Sequence, residues 1–328
     1  MSESFKRVVV VETGGPEVMR LVDEPVRHAG NNEVRVRHEA IGVDFIDTQI
    51  RGGLLPAALP TGVGFAAVGV AEEVGEGVHH VARGDRVAYL YFVAGSYAEE
   101  RVVPAERVIR LPDPSMPADI AAGALFRGLT AWYLATRLRT IGRGDSALVH
   151  AAAGGVGLIL IQWLAHLGVK VIGTAGTPEK VALLREFGCP HPVLMPDEDF
   201  VQVVKDATGG QGVSVVYESI GVETFERSLQ CAKRFGLVAS YGWPSGDPGS
   251  VSLMSLRNRG SLFVTRPTVS QYTADASDFQ AGVKALFDLI GEGKLKIKVG
   301  NAYPLRDAAQ AHADLSAGKT HGSVVLIP

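Results

Sequence analysis

The segment Ala152-Ala153-Gly154-Gly155-Val156-Gly157 has the composition and spacing to hold a diphosphate. It follows the pattern G-x-G-x-x-G with alanine in the first place. Small residues are needed there because backbone N–H groups must approach a pyrophosphate at a helix N-terminus. The last glycine lets helix and strand pack closely. A glycine-rich turn alone is a weak signal. Here a β-branched run precedes it, an apolar helical run follows it, and both lie in a βαβ unit of about 30 residues, the context the motif requires. Gly154, Gly155 and Val156 are therefore expected at a dinucleotide pyrophosphate. An Asp or Glu about 20 residues further on would bind the ribose 2′-hydroxyl of NAD. This chain has Thr174-Ala175-Gly176-Thr177 at that point, with no carboxylate. Gly176, Thr177 and nearby Lys180 suit a 2′-phosphate instead, which favours NADPH. Glu179 argues the other way, but an acid in the first turn of a helix is ordinarily a helix starter.

Composition limits the alternatives. The chain has 328 residues, and at roughly 150 per domain it is expected to form about two domains. With 32 Lys+Arg against 35 Asp+Glu, the net charge of −3 is far from the surplus that binds nucleic acid. Hydrophobic residues at 46% and charged residues at 20% exclude general disorder. The 39 glycines exceed an average usage of about 7%, which points to tight turns or close backbone approach to a ligand. Cys189 and Cys231 cannot build a disulfide framework, and there is no Cys-x-x-Cys for a structural zinc. The nine histidines show no metal-site pairing, and His79-His80 reads as an exposed turn. The N-terminal valine run is too short for a leader. The longest apolar stretch, Val156–Leu167, is interrupted by Gln162 and His166, well short of a ~20-residue span. The expectation is a soluble cytoplasmic protein with no membrane partner.

The elements that must position the glycine turn differ between the two halves. Up to about Arg110 the pattern is short strands with frequent turns: Lys6–Val11, Glu33–Val43, Ala67–Val74, Arg86–Tyr91, Ser96–Val103 and Arg107–Leu111. That spacing predicts a compact, partly open β-barrel or sandwich. Pro112, Pro114 and Pro117 mark a change of character, and a helical period begins at Ile120. Strands at Ser146–His150, Val169–Thr174, Val213–Tyr217 and Gly236–Tyr241 then alternate with helices at Val156–Leu167, Pro178–Phe187 and Thr224–Ala232. This alternation predicts an α/β doubly wound parallel sheet, with Leu262–Thr265 as an edge strand. The tail is expected to hold helices at Asp278–Gly291 and Leu305–Ser316 and a strand at Ser323–Ile327. That last strand is too apolar to stand alone, so it is expected to pair with the β-rich first half. The parallel-sheet unit would then be an insertion in a discontinuous first domain.

The sequence closely resembles the quinone oxidoreductases, including the zeta-crystallins, of the zinc-independent medium-chain dehydrogenase/reductase superfamily. The resemblance runs nearly end to end. It rests on Gly14-Gly15-Pro16-Glu17-Val18, Phe45-Ile46-Asp47-Thr48, Val74-Gly75 with Gly77-Val78, Gly84-Asp85-Arg86-Val87, Gly128-Leu129-Thr130, His150 through Gly157, Gly173-Thr174, Val264-Thr265-Arg266-Pro267, and Thr320 with Gly322. It implies a GroES-like β-barrel domain, residues 1–123 and 268–328, with an inserted Rossmann domain, residues 124–267. It also implies NADPH as cofactor and a homodimer through the edge strand near Ser261–Arg266. The zinc alcohol dehydrogenases of the superfamily carry Gly-His-Glu where this chain has Gly64-Phe65-Ala66, so no metal is expected.

Carried over by position, the resemblance places Phe45, Gln49, Thr130 and Tyr133 near the nicotinamide. Gly154, Gly155 and Val156 fall at the pyrophosphate, and Gly176, Thr177 and Lys180 around the 2′-phosphate. Ser219, Gly242, Val264 and Arg266 line the C-terminal edge of the sheet, and Lys319 is a second candidate phosphate contact. Departures from the family pattern occur at Asp44, Gln49, Leu55, Ala66, Arg127, Met195, Trp243 and Gly318. These thin the aromatics on the acceptor side and add a large ring at Trp243. The expected chemistry is hydride transfer to a quinone or an α,β-unsaturated carbonyl. The Gln49 amide, the Thr130 hydroxyl and an inward-pointing Arg127 would stabilise the anion that forms. Asp44 is either a proton donor or a structural group bonding backbone at a strand end. Two other readings remain open: an enoyl reductase of a biosynthetic pathway, and a low-turnover, crystallin-like NADPH-binding protein.

Overall fold

Glu33–Val43 alternates polar and apolar residues, so one face of a strand must be buried and several neighbours must cover its length. The computed structural model, which describes residues 3–195 and 197–328, makes this strand the spine of the first half. In chain order the elements are β1 (Ser4–Val10), β2 (Met19–Pro25), β3 (Glu33–Val43), α1 (Phe45–Arg51), β4 (Thr61–Gly62), β5 (Ala66–Val74), β6 (Arg86–Leu90), β7 (Glu100–Pro104), β8 (Val108–Arg110) and α2 (Ala118–Thr136). Antiparallel ladders join β3 to β5 and β7, β5 to β6, and β6 to β8. A smaller sheet runs β2-β1-β4. The inward residues Val34, Val36, Ile41, Val43, Tyr89 and Tyr97 form one apolar core.

The glycine turn opens the second set: β9 (Ser146–Val149), α3 (Gly155–His166), β10 (Lys170–Ala175), α4 (Pro178–Glu186), β11 (His191–Leu194), α5 (Phe200–Ala207), β12 (Val213–Glu218), α6 (Phe225–Ser228), β13 (Ala232–Ser240), α7 (Leu253–Asn258), β14 (Phe263–Thr265) and α8 (Val269–Tyr272). Their sheet has the order β11-β10-β9-β12-β13-β14, and all of its pairings are parallel. β9 is central because its short run, Ala147, Leu148 and Val149, is wholly buried and must be covered on both faces.

The tail supplies α9 (Ala276–Gly291), β15 (Val299–Pro304), α10 (Ala308–Ser316) and β16 (Ser323–Ile327). β16 pairs antiparallel with β3, Val324 opposite Val43 and Leu326 opposite Ile41, so the apolar terminal strand does find its partner in the first half. Two compact units result. One holds the chain up to Leu129, Ala274–Gly291 and Ile297–Pro328. The other holds Thr130–Thr273 and Glu292–Lys296. No helix of the described residues is long and apolar enough to cross a membrane.

Several expectations need correction. The helix expected over Thr224–Ala232 ends at Ser228, because Ala232 already pairs with Val213 in the sheet. The strand expected from Ser96 begins at Glu100. α1, α5, β2, β11 and β15 were not expected at all. β2 is an edge strand whose charged residues disguise it. α5 has a clear helical stripe in Phe200, Val201 and Val204 behind an Asp199 cap.

Candidate functional site

At the glycine turn, Gly154 is extended (φ −76°, ψ 173°) and enters α3 with no side chain capping the helix and no acid in its first turn. The first backbone N–H groups of this helix are left facing outward with the positive end of its dipole, which is the physical requirement for binding a phosphate. A Cβ on Gly157 would lie 2.6 Å from the carbonyl oxygen of Ala151 and from Cα of Ala152, so only glycine lets α3 sit this close to the turn. The Ala152 amide donates to the Thr174 carbonyl at 2.9 Å, tying the turn to the end of β10. There Gly176 is exposed with open space around it. Thr177 caps α4, its hydroxyl accepting from the Lys180 amide at 3.3 Å. Backbone and Thr177 hydrogen bonds hold the exposed Glu179 carboxyl below its usual range, so this acid caps its own helix. Lys180 is half-buried in the same first turn.

The remaining strand ends of this unit gather Ser219, Gly242, Val264 and Arg266. The Ser219 hydroxyl donates to the His150 carbonyl at 3.0 Å. Gly242 has no room for a side chain, since a Cβ would meet the Ser219 carbonyl at 2.9 Å. Arg266 donates to the Ser240 carbonyl at 3.0 Å and lies 5.0 Å over the Trp243 ring. Trp243 Nε1 and Ser240 Oγ are both buried without a hydrogen-bond partner. Tyr133 stacks on Tyr272 with ring centroids 4.6 Å apart, and Thr130 is buried one turn earlier on α2. Ser219, Gly242 and Arg266 follow the carboxyl ends of the parallel strands β12, β13 and β14, and the Tyr133 hydroxyl reaches the Pro267 carbonyl just beyond β14, the edge at which open α/β sheets bind ligands. Met195 packs against the core of this unit.

The other unit holds Asp44, Phe45, Gln49, Arg127 and Lys319. Asp44 is the N-cap of α1, and Phe45 and Gln49 are half-buried on that helix. Arg127 points inward: its guanidinium donates to the Val43 carbonyl and pairs with Asp44 at 3.3 Å, and both side chains are 6% exposed. Leu55 is half-buried, Ala66 is fully buried, and Lys319 is exposed, 4.0 Å from Asp314.

Two groupings were not anticipated. Phe65, Phe92 and Phe126 form an aromatic cluster with centroids 5.9 to 6.4 Å apart, at the positions around Gly64-Phe65-Ala66. Behind Asp44 runs a buried chain of hydrogen bonds. Arg51 donates to His312 Nδ1 at 3.3 Å, and His312 Nε2 meets the Tyr97 hydroxyl at 3.0 Å. Tyr97 donates to Asp47 Oδ2 at 2.9 Å, and that oxygen also accepts from the Asp44 amide at 2.8 Å. Asp47 Oδ1 is buried with no partner. Burial, reinforced by the neighbouring Asp44, pushes the Asp47 carboxyl up to about 8. Burial and the Arg51 charge hold His312 down to about 3.

These shifts have opposite consequences for stability. Asp47 keeps a proton that the unfolded chain has already lost, so its contribution is complete below about pH 4 and disappears as pH rises toward 8. His312 stays neutral while the unfolded imidazole takes up a proton, so its contribution fades as pH falls below 6.5. In thermal melts, Asp47→Asn should remove part of the decline between pH 5 and 8. Parallel melting curves for the variant and wild type across that window would contradict the assignment.

Residues 155–291 match the family described as Zinc-binding dehydrogenase, and residues 30–113 match the Alcohol dehydrogenase GroES-like domain. The chain is 41% identical over 326 residues to 2-haloacrylate reductase of Burkholderia sp, covering 98% of both chains. It is also 41% identical over 325 residues to quinone oxidoreductase 1 of Escherichia coli K12, covering 98% of this chain and 99% of the relative. The structure of Escherichia coli quinone oxidoreductase complexed with NADPH superposes with a TM-score of 0.95 at 40% identity, over 98% of this chain and 100% of that one. Among the described residues, no group of three or more His, Cys, Asp or Glu side chains is placed to hold a metal ion.

Proposed function

Since the chain belongs to the quinone oxidoreductases of the medium-chain dehydrogenase/reductase superfamily, we propose that it is an NADPH-dependent, zinc-independent reductase of quinones or α,β-unsaturated carbonyl compounds. The observation that carries this reading is the uncapped N-terminus of α3 behind the glycine turn, followed at the end of β10 by hydroxyl, amide and lysine groups where a carboxylate would select NAD. The bound nucleotide supplies the hydride. The residues of this chain bind, orient and shield. Gly154, Gly155 and Val156 present amides to the pyrophosphate, with Gly176, Thr177 and Lys180 at the 2′-phosphate and Lys319 as a further phosphate contact. Ser219, Gly242, Val264 and Arg266 line the strand ends, and Phe45, Thr130 and Tyr133 serve the nicotinamide. Phe65, Phe92 and Phe126 supply an apolar, aromatic surface suited to a flat acceptor, and with Phe65 and Ala66 in the metal-ligand stretch the site runs without Lewis-acid help. The half-buried Gln49 side-chain amide is a donor for the anion formed on the acceptor. Arg127 acts through Asp44, fixing its carboxyl at the head of α1.

The acceptor domain in this reading is residues 1–123 and 268–328, and the nucleotide domain is residues 124–267. Two copies pair through β14. This edge strand is bonded on one side only and exposes Phe263 (60%), and nearby Leu253 is 81% exposed. Phe263→Asp should shift the protein from dimer to monomer in sedimentation, and a wild-type monomer would refute the pairing.

The test of function is NADPH oxidation with 1,2-naphthoquinone, a small enone and an unsaturated acid. Lys180→Ala should lower kcat/KM for NADPH by about tenfold to a hundredfold, the worth of a charged hydrogen bond, and leave NADH turnover unchanged. Tight NADPH binding without any acceptor-dependent oxidation would instead support the low-turnover, crystallin-like role.

A further inference from the structure

We propose that Glu218 and His150 are positioning residues for the dinucleotide: one buried relay through them holds the three loops at the ends of β9, β10 and β12 in a single register. The inference rests on the reading that NADPH binds at this edge. Both side chains are fully buried. Glu218 Oε1 accepts from the Ile220 amide at 2.7 Å and the Gly221 amide at 3.2 Å, which fixes the turn after β12. Gly221 occupies the left-handed region there, at φ +109°. Glu218 Oε2 accepts from the Thr224 hydroxyl at 2.9 Å and the Ser228 hydroxyl at 2.6 Å.

Donor and acceptor roles then follow in order. Ser228 gives its only proton to Glu218, so its oxygen must accept from His150 Nε2–H, 2.9 Å away. His150 Nδ1 is left as an acceptor, and the Thr174 hydroxyl at 3.1 Å donates to it. Burial keeps this imidazole neutral, so its 3.7 Å approach to Glu218 is not an ion pair. Thr174 in turn receives the Ala152 amide on its carbonyl, and Ser219 bonds the His150 carbonyl. The glycine turn, the Gly176-Thr177 loop and the Ser219–Gly221 turn are thus linked by groups that need not touch the nucleotide themselves.

The experiment measures NADPH Kd by fluorescence, kcat at saturating NADPH, and the His150 tautomer by nitrogen-15 NMR. Variants are Glu218→Leu, Glu218→Gln and Ser228→Ala. Glu218→Leu strands several buried donors and should raise Kd by about tenfold or more, with kcat at saturation within about threefold of wild type. Glu218→Gln keeps an oxygen for the two amides and turns its NH2 to Ser228. The relay then reverses, so His150 should carry its proton on Nδ1 where wild type carries it on Nε2, and Kd should return to within about threefold. If Glu218→Leu fails to fold, Ser228→Ala decides the matter, with an expected rise in Kd of about threefold to tenfold. Wild-type affinity in the folded leucine variant, or in Ser228→Ala, or a wild-type tautomer in Glu218→Gln, overturns the inference and leaves the NADPH reading intact. A wild-type protein that binds no NADPH removes that reading and the inference with it.

Discussion

Gly157→Ala is expected to weaken NADPH binding by about tenfold to a hundredfold, the fold-change matching an overpacking cost of ~1–3 kcal/mol. The added methyl would stand 2.6 Å from the backbone of Ala151 and Ala152, and backbone cannot swing aside as a side chain can. The first turn of α3 must lift, and its amides move away from the position the pyrophosphate requires. Gly291→Ala at the end of α9 is the control, since that glycine has nothing within 4 Å, no left-handed φ and no place in the nucleotide site. It should stay within about twofold of wild type if only the space for a methyl matters. Fluorescence titration of both variants tests the pair, and equal affinities would show that close packing at Gly157 is not what builds the site.

Asp44→Ala should destabilise the protein by ~3–5 kcal/mol, because it leaves the buried Arg127 charge with carbonyl partners alone. The exposed pair Lys284–Asp288, at helical spacing on α9, makes the contrast. Asp288→Ala should cost no more than ~0.5 kcal/mol. Urea unfolding of the two variants separates the cases. A loss of under ~1 kcal/mol for Asp44→Ala would mean that water or a rearranged neighbour solvates Arg127. Asp44→Asn distinguishes the two roles considered for this residue. If Asp44 only holds Arg127 and the start of α1, the asparagine variant keeps most turnover despite lower stability. If it delivers a proton to the acceptor, turnover falls with the carboxyl.

The glycine turn was legible because its requirements are local. A strand, a small-residue bend and a helix start lie within a dozen positions, and the absence of a carboxylate after β10 is a matter of counting. The parallel sheet followed from runs of Val and Ile, and the partner of β16 from a terminal strand too apolar for solvent. The buried network behind Asp44 was not legible in this way. Tyr97 meets Asp47 across 50 residues and His312 across 215, and no periodicity links them. Phe65, Phe92 and Phe126 come from three separate segments for the same reason. Ser228 and Thr224 read as helix residues, yet their hydroxyls serve Glu218, and the helix stops where β13 begins to pair.

By itself, then, the order of residues determined the alternation of elements, the glycine bend between β9 and α3 and the lack of a carboxylate after β10, since each depends on neighbours along the chain. Only the folded molecule decided the direction of Arg127, the isolation of Asp47 Oδ1 and the proton order from Thr174 to Glu218. These depend on burial and on which donors meet which acceptors, and both are properties of side chains brought together from distant positions.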